Sequence, residues 1–345
     1  MASSPEWTES GVFPVAPGVH RIPLPLPNDA LRAVNVYAIA DGDGLVLIDS
    51  GWALQEARSA LERAIGTLGF DFSGVRRFLI THMHRDHYTL AVQLRDTFGT
   101  RIALGAGEQP SMKLVHSGLA HRRHAELERW GAEALLDKVE RARAAEDTDE
   151  RNDYSGPDEW ITGVTDIGLR SRTLQAVPTP GHTQGHLVFA DREGGLLFAG
   201  DHVLPHITPS IGFEPARARL ALGDYLDSLR LMRSYPDARL LPAHGAPGGN
   251  VHPRVDELLR HHEQRLAQTA QAVHDGAGTA FEVAGMLGWT RRGRRFVELD
   301  LFNQLLATGE TAAHLDLLVA RGELEAVAGD PVVEYRAPNS VDSPT

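Results

Sequence analysis

The chain has 345 residues, 42% of them hydrophobic, with no cysteine and a net charge of -12 from 34 basic and 46 acidic residues. That is enough apolar material for a large α/β domain and a smaller one, while the missing cysteines exclude disulfides and thiolate ligands, so any zinc must rest on His and Asp. The acidic balance, with an isoelectric point near 5.8, disfavours binding to phosphate backbones, which needs clustered Lys and Arg. The amino terminus has no basic segment followed by an apolar run, and no window approaches the roughly 18 apolar residues of a membrane span. A cytoplasmic location is expected.

In chain order, Val19 to Leu26, Val34 to Ala40 and Leu45 to Ile48 read as strands, with a hairpin turn at Asp41-Gly42-Asp43-Gly44. Asp49 ends the third, before a helix from about Ala53 to Gly66. It reads either as a turn or cap residue or as support for a metal-bound histidine. The next strand, Phe78-Leu79-Ile80, runs into Thr81-His82-Met83-His84-Arg85-Asp86-His87. Nothing structural calls for H-x-H-x-D-H after a strand, so the stretch reads as a metal site. If it stays extended, alternate residues share a side, so that His82, His84 and Asp86 converge and His87 turns toward a second position.

Leu90, Ala91, Leu94 and Phe98 then follow helical spacing, and Arg101 to Leu104 reads as a strand. Residues 108–163 break the alternation as a helical insertion, with helices over Met112 to Leu119 and Ala125 to Val139 and an acidic loop at Glu146 to Glu150. Lying between two histidine motifs, it is expected to cover the site and offer Met112, Leu114, Leu119 and Trp130 as pocket walls, as do Ile207 and Ile211 further on. Strands resume at Leu174 to Val177, before Thr179-Pro180-Gly181-His182-Thr183-Gln184-Gly185-His186, and at Leu187 to Ala190 and Leu196 to Ala199, before Gly200-Asp201-His202. A helix from about Pro215 to Ser234 leads to Leu240-Leu241-Pro242-Ala243-His244. Every candidate ligand thus lies just past a strand, the arrangement that gathers a site at one sheet edge.

These motifs, in this order, resemble those of the metallo-β-lactamase-fold hydrolases. The resemblance implies an α/β fold, an αβ/βα four-layer sandwich, over residues 1–252. It implies that His82, His84 and His182 bind a first metal, that Asp86, His87 and His244 bind a second, and that Asp201 bridges them. Two Zn2+ suit these N and O ligands, and iron or manganese would be accepted. Two such ions about 3.5 to 4 Å apart acidify a bridging water and so supply a hydroxide nucleophile, with Asp86 as the catalytic proton carrier. Asp49 and His186 are placed in support, and His206 as a substrate contact; His116, His121, His124, His261 and His262 receive no role.

Residues 253–337 are expected as a long helix from Pro253 through His274, then a short helix near Ala280 to Leu287, another near Phe296 to Ala307 and a third near Ala312 to Arg321, closed by a hairpin around Gly329-Asp330-Pro331. This resembles the winged-helix appendage of one branch of the family. It is expected to pack beside the site's edge or mediate self-association as a homo-oligomer. Residues 338–345 read as a disordered tail. Three functions follow for weighing: hydrolysis of a small acyl substrate (thioester, ester or lactone), endoribonuclease or phosphodiesterase action, and DNA-binding regulation without catalysis. A full ligand set opposes the last; net acidity opposes both nucleic-acid readings, whose best support is Arg291-Arg292-Gly293-Arg294-Arg295. The acyl substrate is preferred, with no membrane partner.

Overall fold

The computed structural model describes residues 6–27, 29–117, 122–145, 153–290 and 293–338. A seven-stranded sheet runs in chain order through β1 (Phe13–Ala16), β2 (Val19–Pro25), β3 (Ala33–Asp41), β4 (Gly44–Ile48), β5 (Val75–Leu79), β6 (Arg101–Gly105) and β7 (Glu159–Ile161). It is antiparallel as far as β4 and parallel from β4 to β7. The parallel half requires crossovers, and helix α1 (Gln55–Thr67) and helix α2 (Arg85–Phe98) provide two of them. In α1 the buried residues Ala57, Ala60, Leu61, Ala64 and Ile65 repeat every three or four positions, which turns one face to the sheet. Gly99, at φ 73°, ends α2 in the left-handed conformation.

Helices α3 (Gln109–His116), α4 (Arg122–Arg129) and α5 (Glu133–Ala145) precede β7. The second sheet has the order β12-β11-β10-β9-β8, formed from β8 (Thr165–Gly168), β9 (Thr173–Pro178), β10 (Leu187–Asp191), β11 (Leu196–Gly200) and β12 (Arg239–Pro242). Only the β11–β12 pair is parallel, and helix α6 (Ala221–Ser234) makes that crossover. Beyond it come α7 (Val251–His274), α8 (Ala280–Met286), the short pair β13 (Gly288–Trp289) and β14 (Arg294–Arg295), α9 (Leu301–Ala320), and a hairpin of β15 (Glu325–Ala328) and β16 (Val333–Arg336).

Strand periodicity sorts the cores. Val46, Ile48, Leu79 and Ala103 of the first sheet face Leu187, Phe189, Phe198 and Leu241 of the second, and Tyr37 meets Phe198 edge-on at 5.4 Å. Their neighbours Leu45, Leu47, Phe78 and Ile102 point the other way, into α1 and α2, while Val188, Ala190, Leu197 and Leu240 point into α6 and the later helices. Both faces of both sheets are buried, which is why these strands read as continuous apolar runs. The layers are helices, sheet, sheet, helices, the expected α/β four-layer sandwich.

Several local expectations change. The span read as an insertion contains β7, whose residues 159–161 complete the first sheet. The helix read from 125 to 139 is broken at Gly131, φ 69°, where a Cβ would come within 2.9 Å of Thr279. The helices read separately near 296–307 and 312–321 are joined: α9 passes unbroken through Gly309, against which Trp130 packs. Tertiary packing overrides the weak helix propensity of Gly and Thr there. Elements from α7 onward share one apolar core with the outer face of the second sheet, Val255, Leu258, Leu315 and Leu318 joining Val188 and Leu240. Leu119, His121, the acidic loop 146–150, Arg291, Arg292 and most of the tail lie outside the described residues. No helix among the described residues is long and apolar enough to cross a membrane.

Candidate metal centre

The candidate ligands come from loops that leave β5, β9, β11 and β12 at a single edge of the two sheets. The first of these loops is not extended throughout. His84 sits at the amino-terminal cap of α2, so Asp86 and His87 occupy its first turn, and they reach the site by helical rotation rather than by strand alternation. Asp86 also lies where a helix terminus favours negative charge.

Three overlapping groups have ligand atoms within 4.8 Å of one another: His82, His84 and His182; His82, His87 and Asp201; Asp86, His87 and His244. Asp201 lies between the outer two, with Oδ2 3.5 Å from His182 Nε2 and Oδ1 3.4 Å from His244 Nε2. His84 turns its Nδ1 to His82 Nε2 at 2.9 Å and His182 Nε2 at 3.0 Å; the other four rings are each aimed by their second nitrogen. His87 Nδ1 pairs with Asp49 Oδ2 at 2.9 Å, His244 Nδ1 with the Ala33 carbonyl at 2.8 Å, His182 Nδ1 with the Ser210 carbonyl at 2.7 Å, and His82 Nδ1 with Thr81 Oγ1 at 3.1 Å. Such partners fix tautomer and orientation, leaving Nε2 to face the centre. Asp49 takes a left-handed φ of 61° and is held there by the Thr81 amide at 2.8 Å and the Thr81 hydroxyl. His186 lies behind the ligands: it stacks on His82, bonds Thr179 Oγ1 at 2.9 Å, and accepts the Asp201 amide on Nε2 at 3.2 Å.

His87 Nε2, His244 Nε2 and Asp201 Oδ1 are buried and lack hydrogen-bond partners. Orphaned polar atoms of this kind are costly unless something binds them. Converging imidazoles and carboxylates without thiolates are a donor set that divalent metal ions accept, so the residues fit.

Electrostatics divides the site. Burial, reinforced by neighbouring rings, holds His82 well below the usual imidazole range and His84 down to about 3. Burial also opposes charge on His87, but Asp86, Asp49 and Asp201 outweigh it and push that ring up to about 10. For Asp86, burial is overcome by His87 and His244, which keep it ionised. Carboxylates thus concentrate around His87 and His244, while burial keeps the His82 and His84 rings neutral.

Residues 29–244, well over half the chain, match the Metallo-beta-lactamase superfamily. The chain belongs to that superfamily. A metallo-beta-lactamase family protein from Thermus thermophilus is similar at TM-score 0.75 and 27% identity, covering 94% of this chain and 100% of that one. A beta-lactamase domain protein from Burkholderia ambifaria gives 0.75 and 26%, covering 98% and 97%. The lactamase-like protein nscB of Neosartorya fischeri is 27% identical over 68% of this chain and 55% of its own length. The match thus spans about half of that curated relative.

Met112 and Trp130 are buried, in two different cores; Leu114 is half-buried on α3. Ile211 is likewise core, and Ile207 is 45% exposed. His206 is exposed and belongs to none of the three ligand groups. The basic cluster is partly engaged, since Arg295 pairs with Glu298 at 3.0 Å. Thr81, Asn35 and Ser210 had no spacing signal. The backbone carbonyls that orient His182 and His244 carry no sequence signal at all.

Proposed function

We propose that this superfamily hydrolase is dinuclear and cleaves a small acyl substrate, a thioester or an ester. The observation that carries the dinuclear reading is Asp201, whose two oxygens face His182 of one trio and His244 of the other. His82, His84 and His182 would hold one ion, Asp86, His87 and His244 the other. Two bound dications polarise a scissile carbonyl and lower the pKa of water toward neutrality. The chain's own contribution is orientation and proton handling. Asp86 Oδ2 lies 3.4 Å from His244 Nε2 and 3.5 Å from His87 Nε2, and its side chain keeps 14% of its surface. It is placed to accept a proton from the attacking water and pass it to the leaving thiolate or alkoxide.

Charge at the mouth supports an acyl over a phosphodiester substrate. Arg85, the cation nearest the ligands in sequence, already stacks on Trp52 at 3.9 Å and pairs with Asp29 at 3.4 Å. A phosphodiester pocket needs several uncommitted cations. The test is a side-by-side assay of zinc-loaded protein on acyl-CoA thioesters, aryl esters, lactones, a phosphodiester and single-stranded RNA, with carbonyl hydrolysis expected to dominate. RNA cleavage with the higher kcat/KM, abolished by His244→Ala, would replace this reading with the ribonuclease one.

A further inference from the structure

Outside the ligand set, the chain buries a carboxyl group that no motif singles out. Glu108 has 0% exposure and sits at the end of a short turn, Ala106–Glu108, directly after β6. Its Oε1 accepts the Thr183 hydroxyl at 2.5 Å, while Oε2 is buried without a hydrogen-bond partner. Thr183 follows His182. This side chain therefore holds the loop that delivers His182 to the three-histidine group.

The backbone is shaped for this contact. A Cβ on Gly107 would lie 2.4 Å from the Gln184 carbonyl oxygen, and one on Gly185 would lie 2.2 Å from the Glu108 amide nitrogen. Only glycine lets the two loops approach so closely. A second buried carboxyl, Glu214, holds the far side of the same loop, accepting the Gln184 amide at 3.1 Å and the Ser111 hydroxyl at 3.2 Å. Burial, with Glu214 nearby, pushes Glu108 up to about 8. A buried acid is expensive where methionine would fill a similar volume, so its hydrogen bond is the reason to look for a role.

We infer that Glu108 is a positioning residue that ties the His182 loop to the turn after β6 and thereby sets metal affinity at the three-histidine site, leaving the Asp86/His87/His244 site unaffected. The inference rests on the dinuclear reading. Its test is titration of metal-free protein with Co2+, following both dissociation constants and the visible absorption of each site, with no substrate present. Glu108→Met should weaken one site by about 10- to 100-fold, the usual effect of losing an outer hydrogen-bond partner, and leave the other unchanged. Glu108→Gln keeps an acceptor for the Thr183 hydroxyl and should restore binding close to wild type. Thr183→Val should reproduce a milder, single-site loss. Wild-type binding at both sites in Glu108→Met, equal losses at both, or a Gln variant as impaired as Met would overturn the inference. If Glu108→Met does not fold, Thr183→Val decides alone, and unchanged affinity in it overturns the inference. A wild-type protein that takes up fewer than two ions instead overturns the dinuclear reading, so the two failures are distinct.

Discussion

Two groups of buried histidines lie among the described residues, and only one of the two is arranged as a metal site. Between α7 and α9, His262 Nδ1 faces His314 Nε2 at 3.3 Å, and His314 Nδ1 donates to the Glu310 carbonyl at 2.8 Å. Burial drives His314 down to about 3 and His262 well below its usual range. At the metal centre burial is as deep, yet His87 and His244 are raised, because carboxylates from three separate loops surround them. Burial alone produces a neutral ring packed against helices. A ring with an orphaned Nε2, an anchored Nδ1 and a carboxylate within 4 Å is poised for a cation.

The sharpest way to break this contrast is Asp201→Ala. Purified wild type should carry close to two transition-metal ions per chain by elemental analysis. The variant should hold one or none and lose at least about 100-fold in activity, more than an outer partner contributes. A single tightly held ion, indifferent to the change, would remove the basis of the contrast. Asp49→Asn comes next: it weakens the anchor of His87 without touching a ligand atom, and metal affinity should fall by about 10- to 100-fold.

Changes in the helical pair should act on stability only. His314→Leu and His262→Phe should leave both ions in place and shift unfolding free energy by about 1–3 kcal/mol, the scale of a buried hydrogen bond gained or lost. Loss of an ion from either variant would show that the two groups are coupled. The last effect appears only in acid. His314 is lowered in the folded state to about 3, so its contribution is fully present above the unfolded value near 6.5 and is lost as pH falls from there toward 3. Metal-free His314→Leu should therefore lose stability less steeply below pH 6.5 than wild type, by up to about 1.4 kcal/mol per pH unit. Parallel urea titrations across that range would detect it, and identical slopes would contradict the assignment.

The ligands were legible because their chemistry is local: H-x-H-x-D-H and the histidines and aspartate after later strands stand out against apolar runs. The sandwich was legible for a similar reason, since strands buried on both faces leave uninterrupted Val, Leu and Ile. What was not legible depends on contacts between distant segments. Glu108 reads as an ordinary surface acid until β6 and the His182 loop meet. The first turn of α2 reads as extended because the H-x-H-x-D-H spacing alone does not distinguish a continued strand from a helix that starts at Arg85. Short edge strands such as β1 and β7 have too few residues to show a period.

The hydrogen bonds that place His244 run to the other end of the domain. Its Nδ1 bonds the Ala33 carbonyl, 211 positions away, while the Asn35 side chain binds the Pro242 and Gly245 carbonyls at 3.0 and 2.8 Å, and the Tyr37 hydroxyl also reaches Pro242. During synthesis, therefore, β3 must wait for more than half the protein to emerge before its partner exists. Closing a loop that long is entropically only slightly harder than closing a shorter one, but contacts so remote form slowly. The segment that carries His244 is thus held in place only once β3 and the residues after β12 have met.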